Sequence, residues 1–243
     1  MGVVSRCVRR LLPAALLCTL ALPVLAQTIH PVVIELPADR RHRAQGRFEI
    51  VNDGLTPLIA VLEPRSFDVS EDGEPGYRPL DPGVHLRLSA QSFRIPPQQS
   101  RTVFYDVTVD SLPSWFVIPC TLSGLPKRSG LDIRVELPHT VYVLGPAAPR
   151  RADIALRSAA WRQTERDVEL MLENQGPCVA RARSVELIGS GHREIAGSFP
   201  LLPHGRRRLR IPWSAEAGPE RVVVRFDRFT IDQPFAEAAQ AGD

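Results

Sequence analysis

From residue 31 onward, apolar side chains fall at every second position in short runs, the period of strands with one buried face. Residues 31–36 open the series, and 47–51 follow with Phe48 and Ile50 on one side. Asn52-Asp53-Gly54 marks a turn. Further apolar runs occupy 58–62, 93–95 and 115–122, and 101–109 alternates through Val103, Tyr105, Val107 and Val109. Between them, 68–76 reads as a polar turn carrying Gly and Pro. At 131–137 the apolar side chains are Leu131, Ile133, Val135 and Leu137, with Asp132, Arg134 and Glu136 between them. A second series occupies 168–172, 179–187, 199–202, 208–211 and 221–226. Short strands at this spacing, separated by turn signals, predict an all-β fold of sandwich type.

The pattern also divides the chain. Residues 146–150, within a stretch rich in proline and alanine, read as a linker between an N-terminal β-sandwich domain at 27–145 and a C-terminal β-sandwich domain at 151–243. The turn at Asn174 echoes that at Asn52, and Pro96 and Pro203 each precede a polar stretch and a strand. This weak repeat suits two sandwiches of related design. The tail after Phe235 is small and polar and predicts a frayed end.

Residues 1–26 break the alternation. Arg6, Arg9 and Arg10 precede an apolar run at 11–22, and Val24-Leu25-Ala26 offers a cleavage site, so the segment reads as a secretory signal peptide. The formal net charge of the whole chain is +3. Removing the segment takes three of the 30 basic residues and none of the 27 acids, leaving the signs balanced. That removes the argument for a nucleic-acid partner, and no stable membrane insertion is expected after cleavage. Proline, at 23 of 243 residues, is about twice as common as the usual ~5% and excludes long helices. Cys7 and Cys18 leave with the signal; Cys120 and Cys178 fall in different predicted domains and read as two buried free thiols.

Candidate chemistry is sparse, and no enzyme is expected. None of the six histidines lies three to five residues from another His or a Cys, so no zinc motif exists. Residues 68–73 begin like a calcium loop, but the position that needs a bidentate acid is Pro79, which leaves a solvated hairpin turn. No nucleophile elbow or phosphate-binding glycine loop is present, and no cofactor is implied. Arg206, Arg208 and Arg210 share a strand face, read as charge that discourages edge pairing. The alternating run at 131–137 admits two readings, a strand facing its own core or a strand lent to another chain.

Several stretches resemble the periplasmic pilus (fimbrial) chaperones. Phe48-Glu49-Ile50-Val51-Asn52-Asp53 is similar to that family's second strand and turn. Phe93-Arg94-Ile95-Pro96-Pro97 followed by Arg101-Thr102-Val103 resembles its apolar–proline–polar block. Leu112-Pro113, the run at 116–122 and Leu125-Pro126 look like its sixth strand and exit. Leu170-Met171-Leu172-Glu173-Asn174 with Pro177, and later Leu201-Leu202-Pro203, resemble its second domain. The resemblance implies two immunoglobulin-like sandwiches and a periplasmic, non-enzymatic chaperone. Its partners would be pilin-like subunits and an outer-membrane usher, with Leu131, Ile133, Val135 and Leu137 forming the donated strand. The alternative is a secreted two-domain structural or adhesion accessory protein that lends no strand. The family typically fixes the client's C-terminal carboxylate with an arginine early in the chain and a lysine late in the donated strand. Here residues 32–36 hold no basic residue and 139–145 hold no lysine. Arg40, Arg41, Arg134 and His139 are the candidates left for that role.

Overall fold

The computed structural model describes residues 27–124 and 134–235. The expected signal peptide, Leu131, Ile133, Leu125-Pro126 and the expected frayed tail from 236 lie outside the described residues.

Among these, the first part of the chain forms β1 (Gln27–His30), β2 (Val33–Pro37), β3 (Arg43–Asn52), β4 (Leu58–Leu62), β5 (Arg65–Val69), β6 (Pro75–Pro79), β7 (Val84–Leu88), β8 (Ser92–Ile95), β9 (Gln99–Val109), β10 (Ser114–Gly124) and β11 (Arg134–Leu144). A 3-10 turn at Arg151–Asp153 then leads into β12 (Ile154–Arg162), β13 (Asp167–Asn174), β14 (Ala180–Gly189), β15 (His192–Ala196), β16 (Phe199–Leu201), β17 (Arg206–Pro212), β18 (Arg221–Phe226) and β19 (Thr230–Pro234).

The first eleven strands make two facing sheets. One has the order β1-β3-β9-β7; the other runs β2-β11-β10-β4-β8, with the β5–β6 hairpin attached to β10. The alternating residues of β3 and β9 turn Phe48, Ile50, Val103, Tyr105 and Val107 into a shared core with Phe116, Ile118 and Leu122 of β10. The second sandwich pairs β12-β13-β17 with β15-β14-β18-β19, and β16 lies against β14. Its core includes Val168, Leu170, Leu172, Val185, Leu187, Val222 and Trp213.

β10 is apolar on both faces because it is covered on both. Its Phe116–Ile118–Cys120 side enters the first core, whereas Val117 joins Phe67, Tyr142 and Val179 in a smaller cluster between the sandwiches. Cys120 is buried and Cys178 half-buried, and both are free thiols. The expectation of two buried thiols is therefore corrected for Cys178, which lines the cleft between the sandwiches. Burial pushes the Cys120 thiol up to about 12, so it stays protonated and unreactive.

The echo between the two halves has a physical basis. The Asn52 amide donates to the carbonyls of Thr56, Ile95 and Pro96, and its side-chain oxygen accepts from the Gly54 N–H. Asn174 donates to the carbonyls of Cys178, Leu201 and Leu202 and accepts from the Gly176 N–H. Each asparagine is wholly buried and ties two loops at one end of its sandwich.

The turn at 70–74 does more than reverse the chain. Gly73 sits at φ +90°, and a Cβ there would fall 1.5 Å from the Arg207 guanidinium of the second sandwich. Next to it the Arg208 N–H donates to the Glu71 carbonyl at 2.6 Å, and its guanidinium reaches Asp72 Oδ1 at 3.0 Å and Glu71 Oε2 at 3.3 Å. The arginine face of β17 is thus engaged by carboxylates. Arg206 pairs with Glu173, Arg210 with Glu169, and Arg208 crosses to the first sandwich.

Candidate functional site

β11 carries Arg134, Val135, Leu137 and His139 of the candidate residues, and its two halves differ. Along Thr140–Leu144 it lies between β10 and β2, the latter parallel to it in the register Thr140↔Val33 to Leu144↔Pro37. Along 134–139 it pairs only with β10, in the register Ser123↔Arg134 to Ile118↔His139. No strand among the described residues covers the other side of that half. Backbone groups alternate sides along a strand, and the Thr140 N–H donates to Val32 of the β2 side. Pro138 and Glu136, of the same parity, therefore turn their backbone groups to the uncovered side. Pro138 faces Pro119 across the ladder, a pairing that needs no donor from either.

The other parity sets the side chains. Val135, Leu137, His139, Val141 and Val143 point into the sandwich, Val141 and Val143 wholly buried and Val135 and Leu137 half-buried. An apolar face that remains half-covered beside an open backbone edge is the most receptive feature of the first sandwich.

Where β2 begins, β11 is pinned by His139. Its Nδ1–H donates to the Pro31 carbonyl at 2.6 Å, which makes Nε2 the acceptor for the Tyr105 hydroxyl at 3.0 Å. The ring stacks on Phe48 with centroids 4.5 Å apart and is fully buried. Burial pushes the imidazole below its ordinary pKa, against a smaller upward pull from the Pro31 carbonyl. Tyr105 in turn crosses Gly46, where a Cβ would lie 2.3 Å from the ring. His139 is thus neutral, with both nitrogens engaged inside the core.

The other anchor candidates are dispersed. Arg40 and Arg41 are exposed in the turn after β2, beside the Leu144 end of β11. Arg134 starts the same strand at its opposite end, about 33 Å away at ~3.3 Å per residue. The fold does not bring these four residues together.

Sequence reasoning passed over Arg181 on β14. It reaches across to Glu35 of β2, its guanidinium lies 5.1 Å from the Tyr142 ring, and its Nη2 is buried without a hydrogen-bond partner among the described residues. It lines a cleft of about 480 Å³ between the sandwiches, together with Pro113, Leu144, Pro146, Pro177 and Phe229. In sequence Arg181 is one more polar residue in an alternating strand, and nothing local says that it faces the other sandwich.

No protein-family model matches the chain, and no curated protein matches it in sequence. Solved structures do. The YadV chaperone superposes with a TM-score of 0.56 over 85% of this chain and 97% of its own, at 12% identity. A chain of the Salmonella enterica SafA pilin–SafB chaperone complex gives 0.55 over 88% and 98%, at 12% identity. The class 5 fimbriae chaperone CfaA gives 0.52 over 86% and 98%, at 10% identity. The fold is that of the pilus chaperones. Both immunoglobulin-like sandwiches take part, since the superpositions span nearly the whole of each neighbour. Within the pilus-chaperone fold, the open half of β11 is the edge that the sequence resemblance assigns to the donated strand.

Proposed function

We propose that this protein is a periplasmic chaperone for pilin-like subunits, built as two domains joined at 146–150, and that it lends β11 to its client. The observation that carries the reading is the half-strand 134–139, paired on one side only among the described residues, with Val135 and Leu137 half-covered. A sandwich short of one strand exposes its core and an aggregating edge. β11 could supply backbone hydrogen bonds along that edge while Val135 and Leu137, continued by Ile133 and Leu131, fill the gap in the client's core. Delivery to an outer-membrane usher follows from the same reading, and the chemistry needs no cofactor.

The client's terminal carboxylate is a separate element of the proposal. His139 is enclosed by the core, and Arg40 and Arg41 stand apart from Arg134. Arg181 lines the cleft, is bonded to Glu35 and has an Nη2 without a hydrogen-bond partner among the described residues, and it is the residue we assign to that contact.

The test is co-expression with a secreted subunit encoded beside this gene. Val135→Asp with Leu137→Asp should abolish recovery of soluble subunit while leaving the chaperone folded. Unchanged recovery would sink the strand-lending reading. It would favour an accessory protein with the same sandwiches, a reading whose support is the dispersal of the carboxylate candidates.

A further inference from the structure

β2 is the most weakly held strand beside the open edge. It is a five-residue edge strand, it pairs in the parallel sense, and Val32 and Val33 are 48% and 42% exposed. Its later part is secured by buried Leu36, by the Glu35–Arg181 ion pair and by the Ala38 N–H donating to the Leu144 carbonyl. Its start is held by the ladder at Val33 and Ile34, by partly buried Ile34, and by two further bonds to β11, Thr140 N–H to Val32 and His139 Nδ1–H to Pro31.

We propose that His139 is a proton-operated latch on β2: neutral, it rests enclosed beneath the chain at Pro31, and protonated, its enclosed charge drives that chain off β11, frees the first half of β2 and lengthens the open edge of β11 beyond Pro138 through Thr140.

The geometry explains why a proton would open it. Neutral imidazole satisfies both partners, donating to the Pro31 carbonyl and accepting from Tyr105. An added proton on Nε2 faces the Tyr105 hydroxyl, which must turn its own hydrogen away into an apolar box walled by Phe48. On β9, Tyr105 is the titratable group that faces the ring. On β3, Phe48 faces it while Arg47 and Glu49 are on the exposed side. Ile118 is its cross-strand neighbour on β10, and His30, next to Pro31, is exposed. The Nδ1–H bond to the Pro31 carbonyl is made in both protonation states and favours the charged ring, but burial outweighs it; among the described residues no carboxylate faces the ring, and an uncompensated buried charge is costly. Releasing Pro31 lets the ring reach water at the expense of only the weakest part of β2. The Glu35–Arg181 pair sets the limit of the opening.

The latch does not depend on the strand-lending reading, and the protein alone tests it. Amide exchange of the full chain would be followed by mass spectrometry at pH 7.5 and pH 5.0, with rates corrected for intrinsic pH dependence. The expected result is a loss of about tenfold or more in protection over residues 32–35 and at Thr140 at pH 5.0, with β13 unchanged. One pKa unit corresponds to such a factor. His139→Asn keeps a donor for Pro31 and cannot titrate, so it should abolish the pH difference. Tyr105→Phe removes the hydroxyl that favours the neutral ring and should move the opening to higher pH. Equal protection at both pH values in the native protein, or the same loss in His139→Asn, overturns the proposal. If His139→Asn does not fold, Tyr105→Phe decides: an upward shift supports the latch and no shift overturns it.

Discussion

Asn52 and Asn174 show how a single residue type can secure a sandwich. A buried amide that shares its protons among three carbonyls leaves all three unsatisfied when it is removed, at ~1–3 kcal/mol for each group that water cannot reach. Asn174→Ala is therefore expected to lower stability by about 3 kcal/mol in urea unfolding, and Asn52→Ala by a similar amount. A loss below ~1 kcal/mol would mean that the loops close without the tie. The sequence displayed both asparagines as echoing turns but not their bonds, because two of the three accepting carbonyls of each lie 27 to 44 residues further along the chain. His139 teaches the opposite lesson. As an ionisable base late in the candidate strand it looked like a carboxylate ligand, yet counting by two places it on the same side as Val135 and Leu137, inside the sandwich. The parity was legible; the Tyr105 and Pro31 partners that make burial of an imidazole tolerable were not.

At the level of elements, the hydropathy pattern revealed the inner strands of each sheet and also the edge strands β2, β8 and β17, and passed over five other edges for a common reason. β1, β7, β12, β15 and β19 escaped it, and every one of them stands at the edge of its sheet. An edge strand needs fewer apolar side chains, so its alternation is faint, as in the small residues of β12 or the charged ones of β15. The β5–β6 hairpin was read as a turn alone because Pro75, Gly76 and Pro79 obscure its second arm. The proline excess fits this architecture: Pro79 and Pro138 sit where a missing N–H costs little. The candidate strand was found from its period and its resemblance. The unequal halves of β11 were not, since only the parallel pairing with β2 creates the difference.

At the scale of the molecule, the described residues hold the two sandwiches together by a small apolar cluster, by the Arg208 N–H bond to the Glu71 carbonyl, and by the ionic ties of Arg181 to Glu35 and of Arg208 to Glu71 and Asp72. The second tie is largely exposed on its acidic side, so it contributes on the order of 0–1 kcal/mol and weakens with salt. Replacing both Arg181 and Arg208 by alanine should divide a single calorimetric unfolding transition into two, one per sandwich. A single transition that persists would assign the coupling to the apolar cluster and the backbone bond at Glu71. Function, in this account, needs the second sandwich to frame the cleft and the first to present β11. The most direct measurement of that claim is the exchange rate of the Glu136 amide, followed by NMR in the free protein and in complex with a subunit. The account predicts rapid exchange in the free protein and strong protection in the complex, with Val135 and Leu137 methyl shifts moving together. A stable complex in which the Glu136 amide still exchanges as fast as in the free protein would contradict it.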